Sequence, residues 1–208
     1  MRYGILKSNY NTGLDSELAC VFSTPLSLVS NQPAYISDTM SLRRKAHSQN
    51  VQRWELQANI VPTNDSVNYL VHSVMNGHTN VIYIRMPQVF RPDSNKTRKG
   101  LIFTMSNSVS AGTDTFNITE DTIQPLAVGE FISFVGHSKV YLVIDSGIGN
   151  AGVKISPSLR QGVSAGTQII YGDKVTLSAR YDIDVALGMT YSDGILINPG
   201  SVKFVEAL

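Results

Sequence analysis

Residues 51–60 read Val-Gln-Arg-Trp-Glu-Leu-Gln-Ala-Asn-Ile, and from Arg53 onward apolar and polar side chains alternate without a break. Trp54, Leu56, Ala58 and Ile60 fall on one side. Arg53, Glu55, Gln57 and Asn59 fall on the other. Successive side chains of an extended chain point to opposite faces, so this pattern specifies a half-buried strand. The preceding residues 34–45 are expected to pair with it across the polar turn His47-Ser48-Gln49-Asn50, as a β-hairpin.

One segment departs from period two. Val67, Leu70, Val71, Val74 and Met75 recur at helical spacing and make a single apolar stripe. Asn64 and Asp65 can cap its start, and Asn76-Gly77 suits its end. A helix this short is stable only when its stripe packs on something, and the Trp54 face is the natural partner. A strand over residues 80–86 follows, closed by Pro87.

Residues 91–100, Arg-Pro-Asp-Ser-Asn-Lys-Thr-Arg-Lys-Gly, are polar, basic and turn-rich, and read as a domain boundary. Beyond them period two returns. Strands are expected over residues 101–106, 115–119, 130–135, 139–145, 152–156 and 174–179, separated by Gly-rich turns. Short strands at this density suggest a small closed or partly open barrel, of the OB type. Val202, Phe204 and Leu208 mark a last strand, expected to return to the first domain and leave the barrel as an insertion.

Composition agrees with a strand-rich chain. Only 16% of residues are charged, so the polar surface comes from Ser, Thr, Asn, Gln and Gly, which compete with helical hydrogen bonding. With 17 basic and 16 acidic residues, the chain lacks the basic excess of a free nucleic-acid binder. No apolar run approaches the roughly 18 residues of a membrane span, and the first residues turn polar too soon for a signal peptide. Cys20, the single cysteine, sits in an apolar stretch and reads as a small buried hydrophobe.

Chemistry-bearing constellations are sparse. His47, His72, His78 and His137 have no metal-ligand spacing. Asp182 and Asp184 share one face of an extended segment; such a pair can hold a hard cation or do acid/base work, but more often it is a solvated edge that discourages edge pairing. Residues 147–152 have the glycine spacing of a dinucleotide fingerprint but lead into a strand rather than a helix. Arg43-Arg44-Lys45 can contact nucleic acid, an acidic partner or a neighbouring copy. Phe131, Phe134 and Tyr141 are the aromatics with which an OB barrel could stack bases, although their alternation points most of them inward.

The order of these features resembles a known family. A hairpin running into Gln52-Arg53-Trp54-Glu55-Leu56-Gln57, a short helix, and then Tyr83-Ile84-Arg85-Met86-Pro87 looks like the core of phage distal tail proteins. The Gly129-Glu130-Phe131 strand leading through Gly136-His137-Ser138 into Lys139-Val140-Tyr141 is similar to a turn recurrent in tail proteins, and residues 153–159 match the strand after it. The resemblance implies a mainly β (β-rich α+β) chain. Residues 1–98 together with 183–208 would form a β-sandwich-like ring core with one short helix, and residues 99–182 an inserted OB-like barrel.

It further implies a structural virion protein with no catalytic role, cofactor or metal. The protein would form a ring, hexameric in the family, that joins the tail tube to the tail tip or baseplate. Its partners would be copies of itself, a tail tube protein and a tail-tip hub protein, without free nucleic acid or membrane. It would be assembled in the host cytoplasm and reside in the virion. Arg43, Arg44, Lys45, Arg53 and Glu55 are the expected ring-interface residues. The alternative is a carbohydrate- or receptor-binding module facing a host-surface saccharide. A small tail-tip hydrolase relying on Asp182 and Asp184 is the remaining rival.

Overall fold

The computed structural model describes residues 3–7, 18–38, 44–48, 51–61, 67–68, 71–72, 76, 78–87, 102–119, 126–146, 152–182, 190–193, 195–198 and 200–208. Among the described residues the chain is mainly β with almost no helix. The strands are β1 (Gly4–Leu6), β2 (Leu18–Asn31), β3 (Ala34–Asp38), β4 (Arg44–Ser48), β5 (Arg53–Val61), β6 (Ile82–Arg85), β7 (Phe103–Thr104), β8 (Thr115–Phe116), β9 (Phe131–Phe134), β10 (Tyr141–Asp145), β11 (Val153–Ser156), β12 (Gln168–Tyr171), β13 (Thr176–Tyr181), β14 (Thr190–Ser192), β15 (Ile195–Asn198) and β16 (Ser201–Glu206).

Six of them close into an antiparallel barrel in the order β1-β2-β5-β16-β13-β6, with Ile5 opposite Ile84 completing the circle. The alternation along β5 sets its inside. Trp54, Leu56, Ala58 and Ile60 are buried and meet Val202 and Phe204 of β16, Leu177, Ala179 and Tyr181 of β13, Ile82 and Ile84 of β6, and Phe22 of β2. Closure removes sheet edges that would otherwise stay unpaired, so the core domain is a barrel where a sandwich-like arrangement was expected. β1 lies so close to β2 that a Cβ on Gly4 would stand 1.8 Å from the Cys20 carbonyl oxygen, which only glycine permits.

A second six-stranded sheet follows the order β7-β12-β9-β10-β11-β8. It curls until its two outer strands meet: Met105 bridges Ile118, the Ser106 N–H donates to the Asn117 carbonyl at 3.0 Å, and the Thr119 N–H donates to the Thr104 carbonyl at 2.9 Å. Phe103, Phe116, Leu126, Phe134, Tyr141 and Val143 fill its interior. The inserted barrel-like sheet expected from the Gly-punctuated strands is therefore present. Gly136, at φ +85°, makes the turn from β9 towards β10.

Three details differ from the sequence expectations. First, residues 34–38 do not pair with β5. β3 pairs with β4, in register from Ala34 opposite Ser48 to Asp38 opposite Arg44, while β5 is taken on both sides by β2 and β16. A strand has only two edges, and both edges of β5 are already used.

Second, the return to the core domain comes before residue 183. β13 pairs with β6 and β16 inside the first barrel, because Leu177, Ala179 and Tyr181 supply an inward face matching Ile82 and Ile84. Residues 176–181 thus leave the insertion; its start lies in residues 88–101, outside the described residues. Third, β12 was not foreseen.

Of the expected helix, Val67, Asn68, Val71 and His72 are helical, and Val67 and Val71 pack against the first core. Leu70, Val74 and Met75 lie outside the described residues.

Candidate functional site

The two cores touch. Phe131, Val140 and Ile170 of the inserted sheet are buried in the same cluster as Trp54 and Phe204 of the barrel. The Trp54 ring stands edge-on to Phe131, with centroids 5.3 Å apart and planes at 89°. Its indole N–H donates to the Val140 carbonyl at 2.9 Å.

Beside this contact lies a buried ion pair. Lys139 precedes β10 and Glu206 ends β16, with side chains 4% and 0% exposed, and their Nζ and Oε2 are in direct contact. Every remaining demand is met locally. Lys139 Nζ also donates to the Gln52 carbonyl at 2.9 Å and to Gln52 Oε1. Glu206 accepts the Trp54 N–H at 3.0 Å and the Val140 N–H at 3.2 Å. Burial of charge is tolerable only when pairing and hydrogen bonds replace water this fully. Burial itself pushes the Lys139 amine below the usual lysine range, and the Glu206 charge acts against that shift.

In the sequence, Gln52 and Lys139 stand only within the family-like motifs, with no site role, and Glu206 stands in none. For Glu206 a signal was present: it continues the inward alternation of Val202 and Phe204, which places a carboxylate at a core position.

The described residues among the expected ring-interface set fall in two separate sheets. Arg43 lies outside the described residues. Arg44 starts β4 opposite Asp38, and Lys45 is exposed opposite Ser37. Arg53 and Glu55 lie on the outer face of β5. Glu55 Oε1 accepts Asn31 at 2.9 Å and Arg53 at 2.8 Å, and Oε2 meets Lys203 Nζ at 3.0 Å. Lys203 also holds Asp182 at 2.9 Å.

These donors, Asn31 first and Arg53 next, lower the Glu55 carboxyl to about 2 against the opposing effect of burial. Asp182 and then Glu55 raise the Lys203 amine. Asp182 thus belongs to a cross-strand ion network, and Asp184 lies outside the described residues.

His72 and His78 are exposed, and His47 lies in β4. His137 packs its ring on Phe134 at 5.8 Å, and burial lowers its pKa. Among the described residues, no three His, Cys, Asp or Glu side chains are grouped as a metal site would require. No helix among them is long and apolar enough to cross a membrane. Cys20 is buried. Phe134 and Tyr141 are fully buried and Phe131 is 5% exposed, so these aromatics form core rather than a stacking platform.

Two surface features remain. β2 pairs with β1 only over residues 18–21, and the Phe22 N–H still reaches the Tyr3 carbonyl at 2.8 Å. At Ser23 and again from Ser27 to Asn31 it pairs with β5 on one side, and among the described residues no strand lies on the other. That edge reads Ser-Thr-Pro-Leu-Ser-Leu-Val-Ser-Asn, without a charge. It runs straight into the β3–β4 hairpin, a separate two-stranded sheet whose Tyr35 and Ile36 are 69% and 54% exposed.

The second feature is a cleft of about 290 Å³ between the barrels, bordered by Gln32, Val51 and Gln52 on one side and by Asp114, Ile144, Lys154 and Pro157 on the other. Asp114 and Lys154 form an exposed ion pair at 3.5 Å. The Thr115 hydroxyl, first, holds the Asp114 carboxyl below its usual range.

No family model matches this chain, and no curated protein matches it.

Proposed function

We propose that this protein is a structural subunit of a phage tail tip, assembled through its own sheet edges into a ring between the tail tube and the tip or baseplate. The observation that carries the reading is the β2 edge. Nine residues of backbone without a charged side chain continue into a hairpin that exposes Tyr35 and Ile36 beside its own charges, Asp38, Arg44 and Lys45. Monomeric proteins protect such edges with lysines, bulges or covering segments, because an open edge is a template for another chain. Here Pro25 and a bulge between Ser23 and Ser27 interrupt one end, and residues 27–31 stay regular.

An edge and an arm on one chain suit head-to-tail contacts, which close into a ring when the rotation between copies allows. The buried ion pair supports the same role. A ring component must present its joints at fixed angles, and Lys139 and Glu206 hold the two barrels to each other. The ring's neighbours would be the tube and hub proteins.

Native mass spectrometry with negative-stain electron microscopy tests the reading. Closed oligomers with a central hole are the expected result. A strictly monomeric species at high concentration, with no ring on the grid, overturns it.

A further inference from the structure

We propose that Lys139, Gln52 and Glu206 are a self-cross-linking site, in which an isopeptide bond between Lys139 and Gln52 joins the inserted sheet to the barrel. The three side chains supply the parts of an amide exchange. Lys139 brings an amine nucleophile, Gln52 a carboxamide electrophile, and Glu206 a carboxylate that can move protons. Each of the three residues is at most 5% exposed, so they meet out of water, beside the buried Trp54, Phe131 and Val140.

The amine touches both partners at once. Lys139 Nζ lies 2.5 Å from Gln52 Oε1 and in direct contact with Glu206 Oε2, and it donates to the Gln52 main-chain carbonyl at 2.9 Å. With a carbonyl bond of about 1.2 Å beyond the 2.5 Å contact, the Gln52 amide carbon is within about 3.7 Å of the amine. Reacting atoms poised for attack stand roughly 3–3.5 Å apart. Burial also favours the uncharged amine, which is the attacking form.

The step balances without a co-reactant. Glu206 takes one proton from the Lys139 ammonium. The freed Nζ lone pair attacks Gln52 Cδ, forming the new C–N bond as the carbonyl π bond opens. A second Nζ proton moves to Gln52 Nε2, the carbonyl re-forms, and the Cδ–Nε2 bond breaks to release ammonia. Glu206 gives up its proton to that ammonia and returns to the carboxylate. Gln52 Nε2 donates to the exposed Ser30 hydroxyl at 3.1 Å, and Gln52 borders the cleft between the barrels, so the leaving nitrogen has a way to solvent. The bond ties residues 87 apart, a link that the single cysteine cannot make internally. The proposal is independent of whether copies of the chain assemble.

The test is intact-mass spectrometry of the full chain, followed by sequencing of its proteolytic peptides. The purified protein is expected to weigh less than its sequence by one ammonia, and the digest to contain a branched peptide joining Lys139 to Gln52. Gln52→Ala, Lys139→Arg and Glu206→Gln should each keep the full mass of their own sequence. Circular dichroism identifies the variants that fold, and Glu206→Gln retains an acceptor for the neighbouring N–H groups. Lys154→Ala, at the exposed ion pair, should still link. Three outcomes overturn the proposal: the unaltered chain keeps its full mass after prolonged incubation at mildly alkaline pH; the ammonia loss maps to other residues; or a folded Glu206→Gln variant links as completely as the unaltered protein. The first two need no variant, so they decide the matter even where a substitution prevents folding.

Discussion

Lys139 and Glu206, 67 residues apart in sequence, meet as a buried ion pair where the inserted sheet touches the barrel. Each comes from a different sheet system, so the pair ties the position of one to the other. Because Glu206 also takes the N–H groups of Trp54 and Val140, the chain's last strand secures both sides of the junction at once.

Removing one member should be far worse than removing both. Glu206→Ala leaves a buried ammonium and two backbone donors without their acceptor, and should destabilise by about 3–5 kcal/mol. The Lys139→Met, Glu206→Gln double variant keeps an acceptor and removes both charges, and should recover much of that loss. Chemical denaturation of the three proteins gives the comparison; equal losses in single and double variants would show that the charges are not coupled.

Trp54 is the chain's only tryptophan, so its fluorescence reports on the junction. Its emission should be blue-shifted in the native protein and move red in Lys139→Ala while far-ultraviolet circular dichroism stays native. Trp54→Phe deprives the Val140 carbonyl of its donor and should cost roughly 1–3 kcal/mol, read as a lowered denaturation midpoint.

Glu55 gives stability a defined acid limit. Its folded pKa, about 2, lies below the ordinary 4.5 of a free glutamate, so the folded protein binds this proton less tightly than the unfolded chain does. The stabilisation is complete above about pH 4.5 and is lost as pH falls towards 2. Allowing for solvent screening, it should amount to roughly 1–2 kcal/mol. Lys203, whose pKa is raised, works in the opposite window: its contribution is present below its unfolded pKa and fades as pH climbs through the folded value. Denaturation midpoints of Glu55→Gln should show a flatter profile between pH 2 and pH 4.5 than the unaltered protein.

Gly4→Ala should destabilise by roughly 1–3 kcal/mol or more, the cost of overpacking, because the new methyl meets the Cys20 carbonyl rather than a side chain that can swing away. A Tm equal to that of the unaltered protein would mean that β1 can shift without penalty.

Charging the β2 edge separates assembly from folding. Ser27 and Val29 are exposed, so Ser27→Lys with Val29→Lys should change Tm little while shifting the proposed rings to monomers, since edge lysines block strand addition. Rings that survive the double substitution would place the joint elsewhere.

Much of this molecule was readable from single strands. The alternation at Arg53–Val61 names the inward residues of β5 correctly, and period two likewise finds β9, β10, β11 and β16, because side-chain direction along a strand is a local property. The position of Glu206 was also within reach of that rule. Pairing was not. Whether Ala34–Asp38 would join β4 or β5, or Thr176–Tyr181 would join the insertion or the barrel, depends on which edges remain open after the other strands are placed, and no local pattern carries that information.

The sequence by itself determined that the chain is built of strands, which side chains face inward on those with clear alternation such as β5 and β16, and that charge is scarce, because these follow from residue type and a two-residue period. Only the tertiary structure decided that the first sheet closes, that Lys139 finds Glu206, and that a cleft with one balanced ion pair opens between the barrels. Those depend on contacts between residues far apart in the chain, which are set by the whole packing rather than by any segment.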